Sequence, residues 1–246
     1  MQMPMKKLVP ATMLLLSVVA PAAHAERWNW SVEPYVWGST ITTDVSSPRP
    51  LIQGSSEMSF GDILDKLDGS LQVHIEGRGD TMGVYTDFTY LGIAEKKEGR
   101  FAQTDADLDM RLLDTGVFFP VGNERDRGLD LMVGARWIDA DFKLAIAPNN
   151  PQFDRRVLDV GDDYLDLMIG ARYTFAPAEK WRVTVRGDGS MGQTDGTWNA
   201  SLMAHYLTRY GGFGFGYRHL EAEIKQGDVL SEMAFSGPLL GFAFRF

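Results

Sequence analysis

Cysteine is absent from all 246 residues of the chain. That excludes a disulfide framework, thiol catalysis and an N-terminal lipid anchored through a thiol. Long apolar runs are missing too. The stretch from Ala11 to Ala20, bounded by Pro10 and Pro21, falls short of the about 20 residues a spanning helix needs. Positive charge is scarce, with 24 Lys and Arg against 33 Asp and Glu and a formal net charge of −9. Such a balance does not suit nucleic acid, which takes basic faces. Only four histidines occur, so imidazole chemistry has few places to happen.

What is present begins with Lys6 and Lys7, the short apolar run and then Ala23-His24-Ala25. A basic start, a brief apolar core and an A-x-A site read as a secretory signal peptide, Met1 to Ala25, cut before Glu26. A retained N-terminal anchor is the competing reading. Cleavage leaves a single domain of 221 residues, 26–246, with a formal charge of −11 once Lys6 and Lys7 are gone. With no helix able to span, a membrane-integral chain must be a closed barrel.

The mature sequence alternates almost throughout. Trp28, Trp30, Val32 and Val36 oppose Asn29, Ser31 and Glu33; Leu71, Val73 and Ile75 oppose Gln72, His74 and Glu76. Val84, Phe88 and Tyr90 oppose Tyr85 and Asp87; Ala106, Leu108, Met110 and Leu112 oppose Asp107, Asp109 and Arg111. Six more segments follow the same rule, the last ending Leu240, Phe242, Phe244, Phe246 against Gly241, Ala243 and Arg245. A period of two puts each set on one face of a strand. On a soluble protein, a terminal strand with that aromatic stripe would be an aggregation hazard; in a bilayer it is a lipid-facing wall.

Ten strands result, and an even number agrees with single-chain bacterial barrels. Twelve follows if the long connection 39–69 hides a hairpin, and eight only if separate segments merge. Connections 39–69, 92–103, 145–159, 189–196 and 226–230 fall outside the cell, and 77–80, 120–128, 176–180 and 208–212 in the periplasm, with both termini periplasmic. Arg78-Gly79-Asp80 is then a hairpin turn and not an adhesion tripeptide. A soluble β-sandwich also alternates, but aromatics near the strand ends and charges in mid-strand favour an up-and-down antiparallel transmembrane barrel with an all-β fold.

An internal repeat supports that phase. Asp130-Leu131-Met132-Val133-Gly134-Ala135-Arg136-Trp137 recurs as Asp166-Leu167-Met168-Ile169-Gly170-Ala171-Arg172-Tyr173. A charge in hydrocarbon costs about 2–4 kcal/mol at the midplane, so Asp and Arg must face the lumen. The expected lumenal charge network comprises Glu33, Glu76, Asp87, Asp107, Asp109, Arg111, Asp130, Arg136, Asp166, Arg172, Arg182, Arg186 and Arg218.

The final strand closed by Phe246, with Phe244 and Phe242, resembles the last strand of outer-membrane barrels. That resemblance implies an assembly signal read by the barrel assembly machinery. Further motifs are Glu33-Pro34-Tyr35-Val36-Trp37, the segment Phe60 to Asp68, Arg186-Gly187-Asp188-Gly189, Gly216 to Leu220 and Gly237 to Phe246. With the repeated octet, they make the chain similar to a family of Gram-negative outer-membrane β-barrel proteins that brings no activity or catalytic residue with it. The resemblance implies an outer-membrane location and contact with membrane lipids and lipopolysaccharide.

One helix interrupts the strands. Phe60, Ile63, Leu64 and Leu67 follow helical spacing after Ser59 as N-cap, and this helix is expected to cap the mouth, enter the lumen or lie solvated in the loop. Candidate chemistry is sparse: His74 with Glu76, and His205 with Ser201, share inward faces, and a lipase-type cluster is not recognisable. Metal ligation needs clustered ligands; the Asp105-Asp107-Asp109 ladder reads as wall. The expectations are a structural or narrow-pore barrel, no enzyme, no cofactor and no metal. The alternative is a lipid or peptide hydrolase, or a small-ligand receptor, acting at the mouth.

Overall fold

The computed structural model describes residues 28–246 apart from 49–50, 100–101, 123, 125, 151, 153 and 227–228. The segment Met1 to Ala25 and its cleavage site lie outside the described residues. In chain order the elements are β1 (Asn29–Trp37), β2 (Thr40–Pro48), β3 (Leu51–Met58), α1 (Phe60–Lys66), β4 (Leu67–Arg78), β5 (Gly83–Glu98) and β6 (Ala102–Val121). They continue with β7 (Gly128–Pro148), β8 (Arg156–Phe175), β9 (Trp181–Gly192), β10 (Gly196–Leu207), β11 (Gly211–Gln226) and β12 (Val229–Arg245).

Ten of the strands, β1 and β4 to β12, pair as antiparallel neighbours in that order, and β1 meets β12 to close the ring. The long first connection does hide a hairpin, β2–β3, but it adds no stave to the ring. β1 pairs with Leu239–Arg245 of β12, and β2 takes over the same edge from Leu230 to Ser236. β2–β3 therefore prolongs the wall beyond β1 while the ring keeps ten strands. Among the described residues, no helix is long and apolar enough to cross a membrane.

The outer wall carries the apolar residues. Leu129, Leu131 and Val133 on β7, and Leu165, Leu167, Ile169, Tyr173 and Phe175 on β8, are all exposed. An apolar patch of this extent does not persist in water. On β7 the apolar face runs nine residues, from Leu129 to Trp137, and on β8 eleven, from Leu165 to Phe175. Both match the about 9–11 residues of a tilted transmembrane strand. β6, β7 and β8 are 20, 21 and 20 residues long, so they project well past the apolar band at the end away from the termini.

That projection corrects the phase expected for β6. Asp107, Asp109 and Arg111 lie on the outer face, not in the lumen: Arg111 bonds Asp139 at 2.6 Å, and Tyr90 donates to Asp109 at 2.8 Å. Met110 and Leu112 are buried inside instead. A charge facing outward is costly only within hydrocarbon, and these three stand beyond it. The connections shrink for the same reason. Strand pairing continues to Glu98, Ala102, Pro148 and Arg156, where charged cross-strand pairs such as Lys96 and Asp105 at 3.7 Å replace the apolar stripe as the reason to pair. The β6–β7 turn is flanked by Gly122 and Gly128, whose φ angles of 116° and 104° suit glycine alone.

α1 sits at the far mouth. Ser59 caps it, accepting from the Asp62 amide, while the Asp62 carboxylate accepts from the Ser59 amide and hydroxyl. Those hydrogen bonds hold the Asp62 carboxyl below its ordinary range. Ile63 is buried among Trp37, Ile41, Leu91 and Ile93. The helical face is narrower than its sequence pattern: Leu64 stays exposed, and Leu67 is the C-cap opening β4.

Candidate functional site

From the far mouth to the termini, the barrel interior has three zones. The first is apolar, with Met110, Leu112, Ile138, Leu220, Phe235 and Leu239 packed under α1. These side chains fill the ring at this level. The second is a belt of charge at mid-barrel, and the third is a polar chamber at the terminal end.

Arg136 is the centre of the belt and is 0% exposed. Its Nε and Nη2 donate to both oxygens of Asp114 at 2.8 and 2.9 Å, its Nη2 also to Asp188 at 2.7 Å, and its Nη1 to Thr197 Oγ1 at 2.6 Å. Arg186 donates to Asp188 at 2.6 Å, and Asn199 to Asp188 at 2.8 Å. Arg218 reaches Asn199 at 2.9 Å and Asp87 at 3.2 Å, and Asp87 also accepts from Tyr35 at 2.8 Å. Burying such ions is costly, and only full pairing with saturated hydrogen bonding offsets it. On the terminal side of the belt, Gly134 of the first octet and its partner Gly116 let β6 and β7 approach closely: a Cβ on Gly134 would stand 2.2 Å from the Thr115 carbonyl oxygen, and one on Gly116 2.4 Å from that of Val133.

A second group lies toward the termini. Arg172 binds Glu76 at 2.5 and 2.9 Å and Asp130 at 2.9 Å, and Arg78 joins Asp130 at 2.5 Å. Both guanidinium groups stack on the Phe118 ring, at 4.5 Å for Arg78 and 4.2 Å for Arg172. Because β7 and β8 are antiparallel, the Asp of each octet opposes the Arg of the other, Asp130 with Arg172 and Asp166 with Arg136. Only the first opposition becomes an ion pair. Asp166, expected to join the charge network, accepts from the Gln193 and Thr194 amides at 2.9 and 3.0 Å and from Ser190 at 3.0 Å. It fixes the β9–β10 turn, since two backbone amides satisfy a carboxylate where no Arg reaches it.

The chamber has a volume of about 440 Å³ and is lined by His74, His205, Glu33, Arg182, Arg245 and Phe246 among others. Glu33 meets His205 Nε2 at 3.1 Å, and His74 Nδ1 meets Asp87 at 3.1 Å with Glu76 3.6 Å from Nε2. Arg182, placed in the network by its phase, donates instead to the carbonyls of Glu179 and Trp181 at 3.1 and 3.0 Å. It stands near the terminal end of the barrel, where the short turn before β9 supplies carbonyls before any carboxylate. His205 and Ser201 both line this chamber. Among the described residues, no cluster of three or more His, Cys, Asp or Glu is placed to hold a metal ion.

Asp114, Asp188, Arg78 and Tyr35 belong to these networks and were not in the expected set. Asp114 was legible as a conflict: carrying the β6 alternation past Leu112 puts Asp114 on the same face as Leu112, and a charge on a face assigned to lipid signals that the phase of β6 is reversed. Asp188 shares its face with Arg186 two residues away, inside a motif quoted only for its resemblance.

No protein-family model matches the sequence, and comparison with curated proteins finds no match. Among solved structures, the chain is similar to the outer membrane protease OmpT from Escherichia coli. The identity is 8%, the match covers 92% of this chain and 99% of that one, and the TM-score is 0.52. It is also similar to Ail, the attachment invasion locus protein of Yersinia pestis, at 10% identity over 89% and 99% of the two chains with a TM-score of 0.39. At these identities the likeness is one of fold. It corrects the expectation that the chain is no enzyme, because a barrel of this fold carries a protease in OmpT and the architecture does not exclude catalysis. By its fold the chain is a transmembrane β-barrel of the outer-membrane type.

Proposed function

We infer that residues 26–246 form a single-domain integral outer-membrane barrel, exported by the Met1 to Ala25 segment, whose lumen is a sealed, charge-braced wall and not an open pore. The observation that carries this reading is the fully buried Arg136 with Asp114 and Asp188 across the middle of the ring, backed by the apolar zone under α1. An aqueous channel needs a continuous polar path, and Leu112, Phe118 and Met168 interrupt it. The terminal end faces the periplasm, and lipid and lipopolysaccharide surround the apolar band. Phe242, Phe244 and Phe246 present the assembly signal; the exposure of Phe244 on the finished wall agrees with a signal read before closure.

Planar-bilayer recording of the refolded protein tests the reading, with and without residues 59–69. The expected result is no stable conductance from the full chain. Reproducible unitary steps from it would replace the sealed barrel with a pore. A second reading, small-ligand reception, is favoured by the chamber that Arg78, Arg172, Arg182 and Arg186 line. Heat of binding of a small polycarboxylate to the refolded barrel, lost when Arg182 and Arg186 are replaced by Gln, would support that reading, and the absence of any binding heat would remove it.

A further inference from the structure

The outer wall holds one group that neither the lumen nor the mouth explains. His219 shares the outward face of β11 with Phe213, Phe215 and Tyr217, all exposed, while Arg218, Leu220 and Ala222 are buried inside. Ser236, on the outward face of β12 with Leu240, is its direct cross-strand partner. His219 Nδ1 and Ser236 Oγ are 2.5 Å apart, and Glu221 Oε2 lies 3.5 Å from His219 Nε2. The Trp198 ring, exposed on β10, packs against the imidazole at 4.4 Å between centroids. His219 Nε2 is buried and has no hydrogen-bond partner.

We propose that Ser236, His219 and Glu221 are a hydrolytic site on the outer wall that cleaves acyl esters of the surrounding lipid. Its height supports the substrate class. His219 stands eight residues along β11 from Gly211, as Trp137 stands nine along β7 from Gly128. That is the aromatic border where hydrocarbon gives way to headgroups and where the ester carbonyls of membrane lipids lie. A water-soluble substrate has no reason to be read from this face, whereas an acyl chain of the surrounding bilayer would lie along the exposed Tyr217 and Leu240.

The arrangement has the parts an activated nucleophile needs: a hydroxyl, a base bonded to it and a third group on the base's other nitrogen. With the Nε2–H tautomer, which faces the Glu221 carboxylate across 3.5 Å without a hydrogen bond, Nδ1 accepts the Ser236 proton. Ser236 Oγ attacks the ester carbonyl carbon, its proton passes to His219 Nδ1, and the same proton leaves with the alkoxide as the C–O bond breaks. Water then attacks the acyl-serine, again through His219, and releases the fatty acid. Ser236 and His219 are the catalytic residues. Glu221 is a positioning residue.

This goes beyond the sealed-barrel reading and uses only its membrane placement; a barrel that conducts nothing and cleaves lipid satisfies both. The test is fatty-acid release, followed by mass spectrometry, from the refolded full chain in vesicles of phosphatidylethanolamine with phosphatidylglycerol, and in parallel vesicles containing lipopolysaccharide. Release in the first alone assigns phospholipid esters, and in the second alone the acyl chains of lipopolysaccharide. Ser236→Ala and His219→Gln should lower release by about 10²-fold or more, the scale of lost acid–base assistance. Glu221→Gln should lower kcat with KM unchanged, and Glu221→Asp should restore part of it. A long-chain alkyl fluorophosphonate on the unmutated barrel should leave its adduct on Ser236 by peptide mapping, which holds even if a variant fails to fold. A heat-modifiable, folded barrel that releases no fatty acid from either vesicle and carries no adduct on Ser236 overturns the proposal.

Discussion

Arg136 and Arg111 look alike in the sequence and should behave differently when their charge is removed. Arg136→Met would leave Asp114 and Asp188 without their main partner in a place closed to water, so unfolding stability should fall by about 3–5 kcal/mol. Arg111 is partly exposed beside Asp139, outside the apolar band, and Arg111→Met should change stability by about 0–1 kcal/mol. Denaturant titration of the two variants in the same detergent makes the comparison, and equal losses would return Arg111 to the lumen. The difference explains which residues could be read in advance. Leu131, Val133 and Ala135 must face lipid, so Arg136 had one face left to it. Beyond the hydrocarbon no such penalty exists, and the apolar side of β6 turned inward to pack with Ile138 and Leu220. Pairing partners were less legible still. The octets set Asp166 opposite Arg136, yet the guanidinium bonds Asp114, its direct partner on β6, and Asp188 two strands away on β9; the first needs the β6–β7 register and the second the curvature of the closed ring.

At the level of elements, the strands were legible where they cross the membrane and blurred where they leave it. The β4–β5 turn and the short β9–β10 and β10–β11 turns stand close to where Gly and polar residues put them. β2–β3 was readable only as an open option, since nothing local says whether a hairpin inserts in a ring or rides on its edge. α1 shows the same division. Its cap was visible as Ser59 followed three residues later by Asp62, but which of its apolar residues is buried depends on β2 and β5 beneath it. Three outcomes follow for hydrogen exchange over residues 60–66. Ser59→Ala should speed exchange by removing a cap worth about 1 kcal/mol, and Ile63→Ala should speed it further by emptying a packed site, while the exposed Leu64→Ala leaves it unchanged. The Asp62 carboxyl has its affinity for a proton lowered in the folded helix, so its contribution is present above the ordinary carboxylate range and is lost as pH falls through the folded value. The protection factor over the helix, with the intrinsic pH dependence of amide exchange divided out, should therefore fall on acidification, and a pH-independent protection factor would remove Asp62 from the cap.

The whole molecule is a closed ring, and its sidedness follows from parity. Ten antiparallel staves leave both ends of the chain on one side, and the short turns at Gly79–Asp80 and Ala176–Lys180 belong to that same side. The opposite rim is built from the long, charged extensions of β5 to β8 and from β11, β12 and β2–β3. Extensions of this length are compatible with the cell exterior, where no peptidoglycan crowds them. The Cys-free background makes the assignment measurable. Single cysteines at Gly99, Asn149 and Asp195, all exposed at the far rim, should react on intact cells with a thiol reagent that does not cross the membrane. Cysteines at Asp80 and Glu179, exposed at the terminal rim, should react only after the cells are broken. The five positions sample connections on alternate sides of the ring, so a slip of one strand anywhere between Asp80 and Asp195 would reverse part of the pattern and leave the rest. A complete reversal would instead put the termini outside, against export through the assembly machinery, and would turn the chamber at Arg182 toward the surroundings of the cell. Labelling of the first three alone keeps the ten-stave ring, the periplasmic chamber and the outward rim together, and it places Ser236 and His219 in the outer leaflet, where an acyl ester could reach them.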